Sequence, residues 1–140
     1  MSQTLAIIKP DAVNAGKAGK ILTHLEKAGF AVSSMKLTVL GRAQAGAFYA
    51  VHAGRPFYDE LVEFMTSGPV ITMVLEAEDA VAKLRHEIGA TDPAEAAEGT
   101  VRKLFAESKG RNAIHASDSD ENAANEIAFF FSGHERLGVE

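Results

Sequence analysis

The sequence predicts an α+β fold: a small antiparallel sheet carrying helices, interrupted once by a long loop. Short apolar runs with strand character recur at residues 4–9, 30–39, 70–75 and 127–131. Helical spacing fills most of the intervals between them, and from residue 90 to 119 the periodicity fades. With the extra helices left out, the order is βαββαβ. That is the ferredoxin-like arrangement, with helices on one face of the sheet.

Each element has its local reason. The apolar run at residues 4–9 stops at Pro10-Asp11, as a buried strand entering a turn does. Ile21, Leu22, Leu25 and Ala28 recur at helical spacing, and Gly29 stands where a helix-ending glycine belongs. Phe30 and Val32, then Met35, Leu37 and Val39, alternate as in a half-buried strand. Residues 43–51 read as a helix broken by Gly54-Arg55-Pro56, and Leu61, Phe64 and Met65 mark its successor over 57–65. Ser67-Gly68-Pro69 turns the chain into the strand at 70–75, and residues 80–88 form a helix closed by Gly89. After the long loop, 120–126 reads as a short helix and 127–131 as the last strand.

A chain of 140 residues has the length of one domain. At 46% apolar residues it needs no covalent staple, and without cysteine it has neither disulfides nor thiolate metal sites. The first residues lack a basic segment, and the apolar run that follows is too short for a signal or a membrane span. The expectation is a soluble cytoplasmic protein with no membrane partner. The balance of 14 Lys+Arg against 19 Asp+Glu argues against nucleic acid as the main partner, yet permits a locally cationic nucleotide pocket.

Candidate chemistry gathers in few places. Gly16-Lys17-Ala18-Gly19-Lys20 invites comparison with a phosphate-binding P-loop, but Lys20 is followed by Ile21 and the spacing is wrong. It reads instead as a loop entering a helix. Lys9 is delivered from a strand end. The irregular segment carries Thr91, Arg102, Arg111, Asn112, His115 and Asp118, with Arg85 just before it. Converging guanidinium groups suit a polyphosphate, because each can pair oxygens bidentately. Among 5 histidines, His115 is set apart by its small, polar neighbours. No HExxH or EF-hand spacing is present, so a protein-built metal site is disfavoured; Asp118 could still meet a nucleotide-bound Mg²⁺ through water.

These pieces together resemble the nucleoside diphosphate kinase family. Asn112-Ala113-Ile114-His115-Ala116-Ser117-Asp118-Ser119 is similar to its active-site motif N-x-x-H-[GA]-S-D. Ile8-Lys9-Pro10-Asp11-Ala12-Val13, Arg55-Pro56-Phe57-Tyr58, Ser67-Gly68-Pro69-Val70 and Gly89-Ala90-Thr91-Asp92-Pro93 match further family motifs in the right order. The resemblance spans residues 4–131, and the short C-terminus is like that of bacterial members. Lys103-Leu104 depart from the usual Gly or Ala followed by Asp, and Ala116 replaces the commoner glycine.

The resemblance implies a single kinase domain over residues 1–140 that moves the γ-phosphoryl group between nucleoside triphosphates and diphosphates, with Mg²⁺ bound to the nucleotide. By it, His115 is the nucleophile of a ping-pong reaction, carried as a phosphohistidine, and Glu126 orients it. Lys9 contacts phosphate and the ribose 3′-OH with Tyr49 beside it; Arg85, Thr91 and Arg102 hold phosphates; Asn112 binds ribose; Phe57 stacks on the base. Stacking uses a π face that every base has, so broad base and sugar tolerance is expected. A homo-oligomer, tetramer or hexamer, is also implied. The competing reading from another class is a non-catalytic ferredoxin-like nucleotide-binding or regulatory module, which would keep the phosphate contacts without the nucleophile.

Overall fold

The computed structural model describes residues 1–136. Its sheet comprises β1 (Ser2–Ile8), β2 (Ala31–Thr38), β3 (Val70–Ala77) and β4 (Ile114–Ala116), in the order β2-β3-β1-β4. All neighbours are antiparallel, as the ferredoxin-like order requires. The helices are α1 (Pro10–Asn14), α2 (Ala18–Lys27), α3 (Arg42–Phe48), α4 (Tyr58–Met65), α5 (Ala80–Ile88), α6 (Val101–Phe105) and α7 (Asp120–Phe130).

β1 is central, and its run Leu5-Ala6-Ile7-Ile8 is buried on both sides, which explains why it is apolar without alternation. Ala6 and Ile8, with Met73 and Leu75 of β3, meet Ile21 and Leu25 of α2 and Leu84 and Ile88 of α5. Leu5 and Ile7, with Val70 and Val74, meet Ala45 of α3, Val62 and Met65 of α4 and Ile127 of α7. The two helices of the βαββαβ core, α2 and α5, thus share one face of the sheet, as expected. Of the helices left out of βαββαβ, α3, α4 and α7 cover the second face, whereas α1 and α6 pack with the first.

The last two elements also differ from the sequence reading. Residues 127–131 are not a strand: α7 runs on through Phe130, and the fourth strand is Ile114–Ala116, inside the supposed irregular segment. The reason is periodicity. Ala123, Ile127 and Phe131 are buried at four-residue spacing, whereas Phe129, which an alternating strand would bury, is exposed. Ser119 caps the helix by accepting the Asn122 N–H at 3.0 Å, and Asp120 and Glu121 suit its positive end. The segment 90–119 further contains α6, started by the Thr100 side chain, which accepts the Lys103 N–H at 3.3 Å.

Smaller differences follow from position. α3 ends at Phe48 and a single 3-10 turn, Ala50–His52, replaces the rest of the expected helix. In β2 a bulge between Val32 and Ser34 breaks the alternation, and Met35, Leu37 and Val39 stand exposed rather than half-buried. β2 is an edge strand of the sheet. Gly29 and Gly89 do end helices, with φ of +101° and +84°. No helix among the described residues is long and apolar enough to cross a membrane.

Candidate active site

β4 sets the site. His115 pairs with Ile7 across the ladder and so shares its face, the one covered by α3, α4 and α7. Because α7 is a continuous helix, Glu126 comes over that face, and its Oε1 lies 2.8 Å from His115 Nε2. The fully buried Ser117 donates its hydroxyl to the same oxygen at 2.7 Å. A carboxylate accepts both bonds, so the proton on the imidazole sits at Nε2 and the lone pair at Nδ1. Phe48 meets the ring edge-on, with centroids 5.5 Å apart.

His115 and Glu126 line a cavity of about 460 Å³ together with Tyr49, His52, Arg85 and Asp118. Tyr49 packs against Phe48 at 4.9 Å, its hydroxyl is buried without a partner, and burial followed by the Glu126 charge pushes its pKa strongly up. A neutral phenol in that position can donate to an incoming oxygen. A second cavity of about 460 Å³ holds Arg85, Thr91 and Arg102. Arg85, in the last turn of α5, lines both, so the two cavities adjoin and together make up a recess.

Arg102 is buried, and its role is double. Nε donates to Asn112 O at 3.3 Å, Nη1 to Gly89 O at 3.1 Å and Nη2 to Ile114 O at 2.7 Å. It thus ties the end of α5 to the start of β4, and a guanidinium still has two N–H groups to offer an anion. Burial, followed by the charge of Arg85, lowers its pKa to about 10. Lys9, just past β1, donates from Nζ to Asn112 Oδ1 at 2.8 Å. Burial, followed by Arg102, lowers its pKa to about 8, against a raising contribution from Asp11.

Between Asn112 and His115 the backbone is strained. Ala113 has φ +74°, a left-handed conformation that costs an L residue about 1–2 kcal/mol. Its N–H donates to Asp11 Oδ2 at 3.0 Å, and its carbonyl accepts from Lys9 N at 2.9 Å. Asp11 and Ser117 are site residues that sequence reasoning passed over. Both stand in the quoted motifs, but nothing in their spacing reveals a bond to a position as much as 102 residues away.

Phe57 lies apart from the recess. It is half-exposed at the entry to α4 and lines a third cavity of about 430 Å³ with Leu61, Phe64, Gly110 and Arg111. His52, whose ring is 5.2 Å from that of Phe57, connects this slot to the His115 cavity. Arg111 is occupied by Glu107 at 2.7 Å and sits over Phe64, so it belongs with the slot rather than with the other arginines. Asp118 reaches the recess with one oxygen accepting from Asn122 Nδ2 at 2.6 Å. No group of three His, Cys, Asp or Glu able to hold a metal occurs among the described residues. A divalent cation would therefore need ligands from a bound phosphate chain, with the Asp118 carboxylate at hand in the recess; the donor set fits such a shared ion.

The comparisons with known proteins agree with this geometry. The family model described as nucleoside diphosphate kinase matches residues 2–136. A nucleoside diphosphate kinase of Chlorobaculum parvum is 59% identical over 140 residues, covering 100% of both chains. The crystal structure of the Aquifex aeolicus enzyme superposes with a TM-score of 0.94 at 50% identity, over 97% of this chain and 99% of that one. The halophilic enzyme of Halobacterium salinarum, solved in complex with CDP, gives 0.94 at 39% identity, over 99% of this chain and 93% of that one.

Proposed function

The chain belongs to the nucleoside diphosphate kinase family and is a phosphotransferase; from that premise we propose that His115 carries the phosphoryl group on Nδ1. The observation behind this is the Glu126 bond to Nε2 at 2.8 Å, which leaves Nδ1 as the free nitrogen of a histidine that lines the recess. The Nδ1 lone pair attacks the γ-phosphorus, a P–N bond forms as the P–O bond to the β-phosphate breaks, and the diphosphate leaves. A second diphosphate reverses the step with its own terminal oxygen.

The remaining residues position and neutralise. Arg85, Thr91 and the free N–H groups of Arg102 hold phosphate oxygens. Lys9 and Asn112, bonded to each other at 2.8 Å, exchange that bond for phosphate and ribose hydroxyls. Tyr49 offers its unpartnered hydroxyl at the same recess. The base stacks on Phe57, whose slot carries a mainly apolar surface and an Arg111 already engaged by Glu107. Broad base tolerance follows. Mg²⁺ would enter with the nucleotide and be reached by Asp118 through water, supplying charge neutralisation on the phosphates. The CDP complex of the Halobacterium salinarum relative supports a nucleotide at this fold's site.

Self-association belongs to the same reading. Edge strand β2 presents Met35, Leu37 and Val39 at 51%, 68% and 62% exposure, an apolar template for a second copy. A tetramer and a hexamer both satisfy it. Leu37→Lys should shift the mass measured by light scattering toward smaller species.

The test of the main reading uses γ-labelled ATP with Mg²⁺ and no acceptor. An acid-labile, base-stable label on the protein, absent from His115→Ala and chased onto added GDP, supports it. A well-folded parent that takes no label returns the chain to the binding-module reading.

A further inference from the structure

Asp11 has no place among the nucleotide contacts above, yet it is buried at the start of α1 beside them. Its Oδ2 accepts the N–H of Ala113, while its Oδ1 is buried without a partner. A buried carboxylate that takes so few bonds is costly unless its charge serves a neighbour. Lys9 feels the charges of Asp11, two residues on in α1, and of Arg102 in α6, and Arg111 in turn feels that of Asp11. Of these, Asp11 alone favours the Lys9 ammonium. The same carboxylate grips a turn with no conformational comfort of its own, since Ala113 is fully buried at φ +74°. On one side of that turn stands Asn112, bonded to Lys9. On the other, Ile114 opens the strand that carries His115.

We propose that Asp11 is the positioning residue of the phosphate and ribose end: its carboxylate clamps the left-handed Ala113 turn that sets Asn112 and His115. This rests on the reading that Lys9, Asn112 and His115 meet the nucleotide. The two duties separate by substitution. Asp11→Asn keeps an oxygen able to accept the Ala113 N–H but removes the charge. Asp11→Ala removes both. Ala113→Gly makes the left-handed turn cheap, so the clamp is no longer needed.

Activity against pH in Asp11→Asn should show the alkaline limb of kcat/KM moved down by about half a pH unit or more, with a smaller loss of turnover at pH 6.5 than in Asp11→Ala. Asp11→Ala should lose about tenfold or more at pH 6.5, and Asp11→Ala/Ala113→Gly should recover most of that loss while its alkaline limb stays low. If Asp11→Asn does not fold, Asp11→Asn/Ala113→Gly carries the same measurement. Lysine ε-carbon NMR of the nucleotide-free protein follows Lys9 directly, and its midpoint should fall with the charge removed. An unmoved Lys9 midpoint, or a double variant no better than Asp11→Ala, overturns the proposal. Because that titration needs no nucleotide, it still decides the role of Asp11 if the parent takes no phosphoryl label.

Discussion

The two ends of the site are built in opposite ways. At the phosphate end, Lys9, Arg102, Asn112 and Ser117 are buried, and their polar groups are bonded to one another or to the backbone. At the base end, Phe57 is half-exposed at the start of a short helix and meets little besides His52. On the proposed reading, the reacting atoms are held by strand ends and buried bonds, and the part of the substrate that varies is met by one aromatic face. Preorganisation is concentrated where charge moves, and looseness is left where discrimination is unwanted.

This contrast predicts a gradient of mutational effects. The largest belongs to His115→Ala, which should lower kcat/KM by about 10⁴-fold or more in a coupled transfer assay. Arg102→Ala should come next and act twice: transfer falls, and unfolding in urea shows a loss of about 2–4 kcal/mol, because three backbone carbonyls lose their donors. Retained stability in that variant would show that the buried end is less tightly built than its bonds suggest. Glu126→Gln should reduce kcat by about 10- to 100-fold with KM little changed, since it disturbs the orientation of the nucleophile rather than a substrate contact. Phe57→Ala should be mildest, raising KM by about tenfold for every base alike with kcat unchanged. A preference among bases above roughly a hundredfold, about 2.7 kcal/mol, would break the contrast itself.

The buried end also predicts that pH moves activity and stability in opposite directions. Lys9 loses its proton near pH 8, so kcat/KM should fall as pH rises through that value. In the unfolded chain a lysine keeps its proton to about 10.4. Between these values the unfolded state binds more protons, and Lys9 contributes a stability that rises with pH. Parallel pH series of kcat/KM and of urea midpoints check the sign of each.

How much of this was legible in the sequence depended on whether a residue's partner lay nearby. Lys9, Asn112 and His115 stood out because strand end and motif are local patterns, and the structure bonds the first two to each other. The βαββαβ order was legible, but its last strand was misplaced. Ile114–Ala116 is too short to carry a period, and the dense apolar run at residues 127–131 imitates a strand although only the four-residue spacing of Ala123, Ile127 and Phe131 is buried. Met35 and Leu37 alternated correctly, yet alternation does not say that the strand lies at an uncovered edge. Asp11 and Ser117 escaped because their bonds to Ala113 and Glu126 exist only once the sheet and α7 have assembled.

The central claim is that Glu126 holds one ring nitrogen so that the other receives the phosphoryl group. It is tested most directly by NMR of the isolated phosphoenzyme, with ³¹P and ring ¹⁵N signals assigning the phosphorylated nitrogen of His115. Phosphorus on Nδ1, with Nε2 protonated and bonded to Glu126, is the predicted result. Phosphorus on Nε2, or on any residue other than His115, would contradict the account.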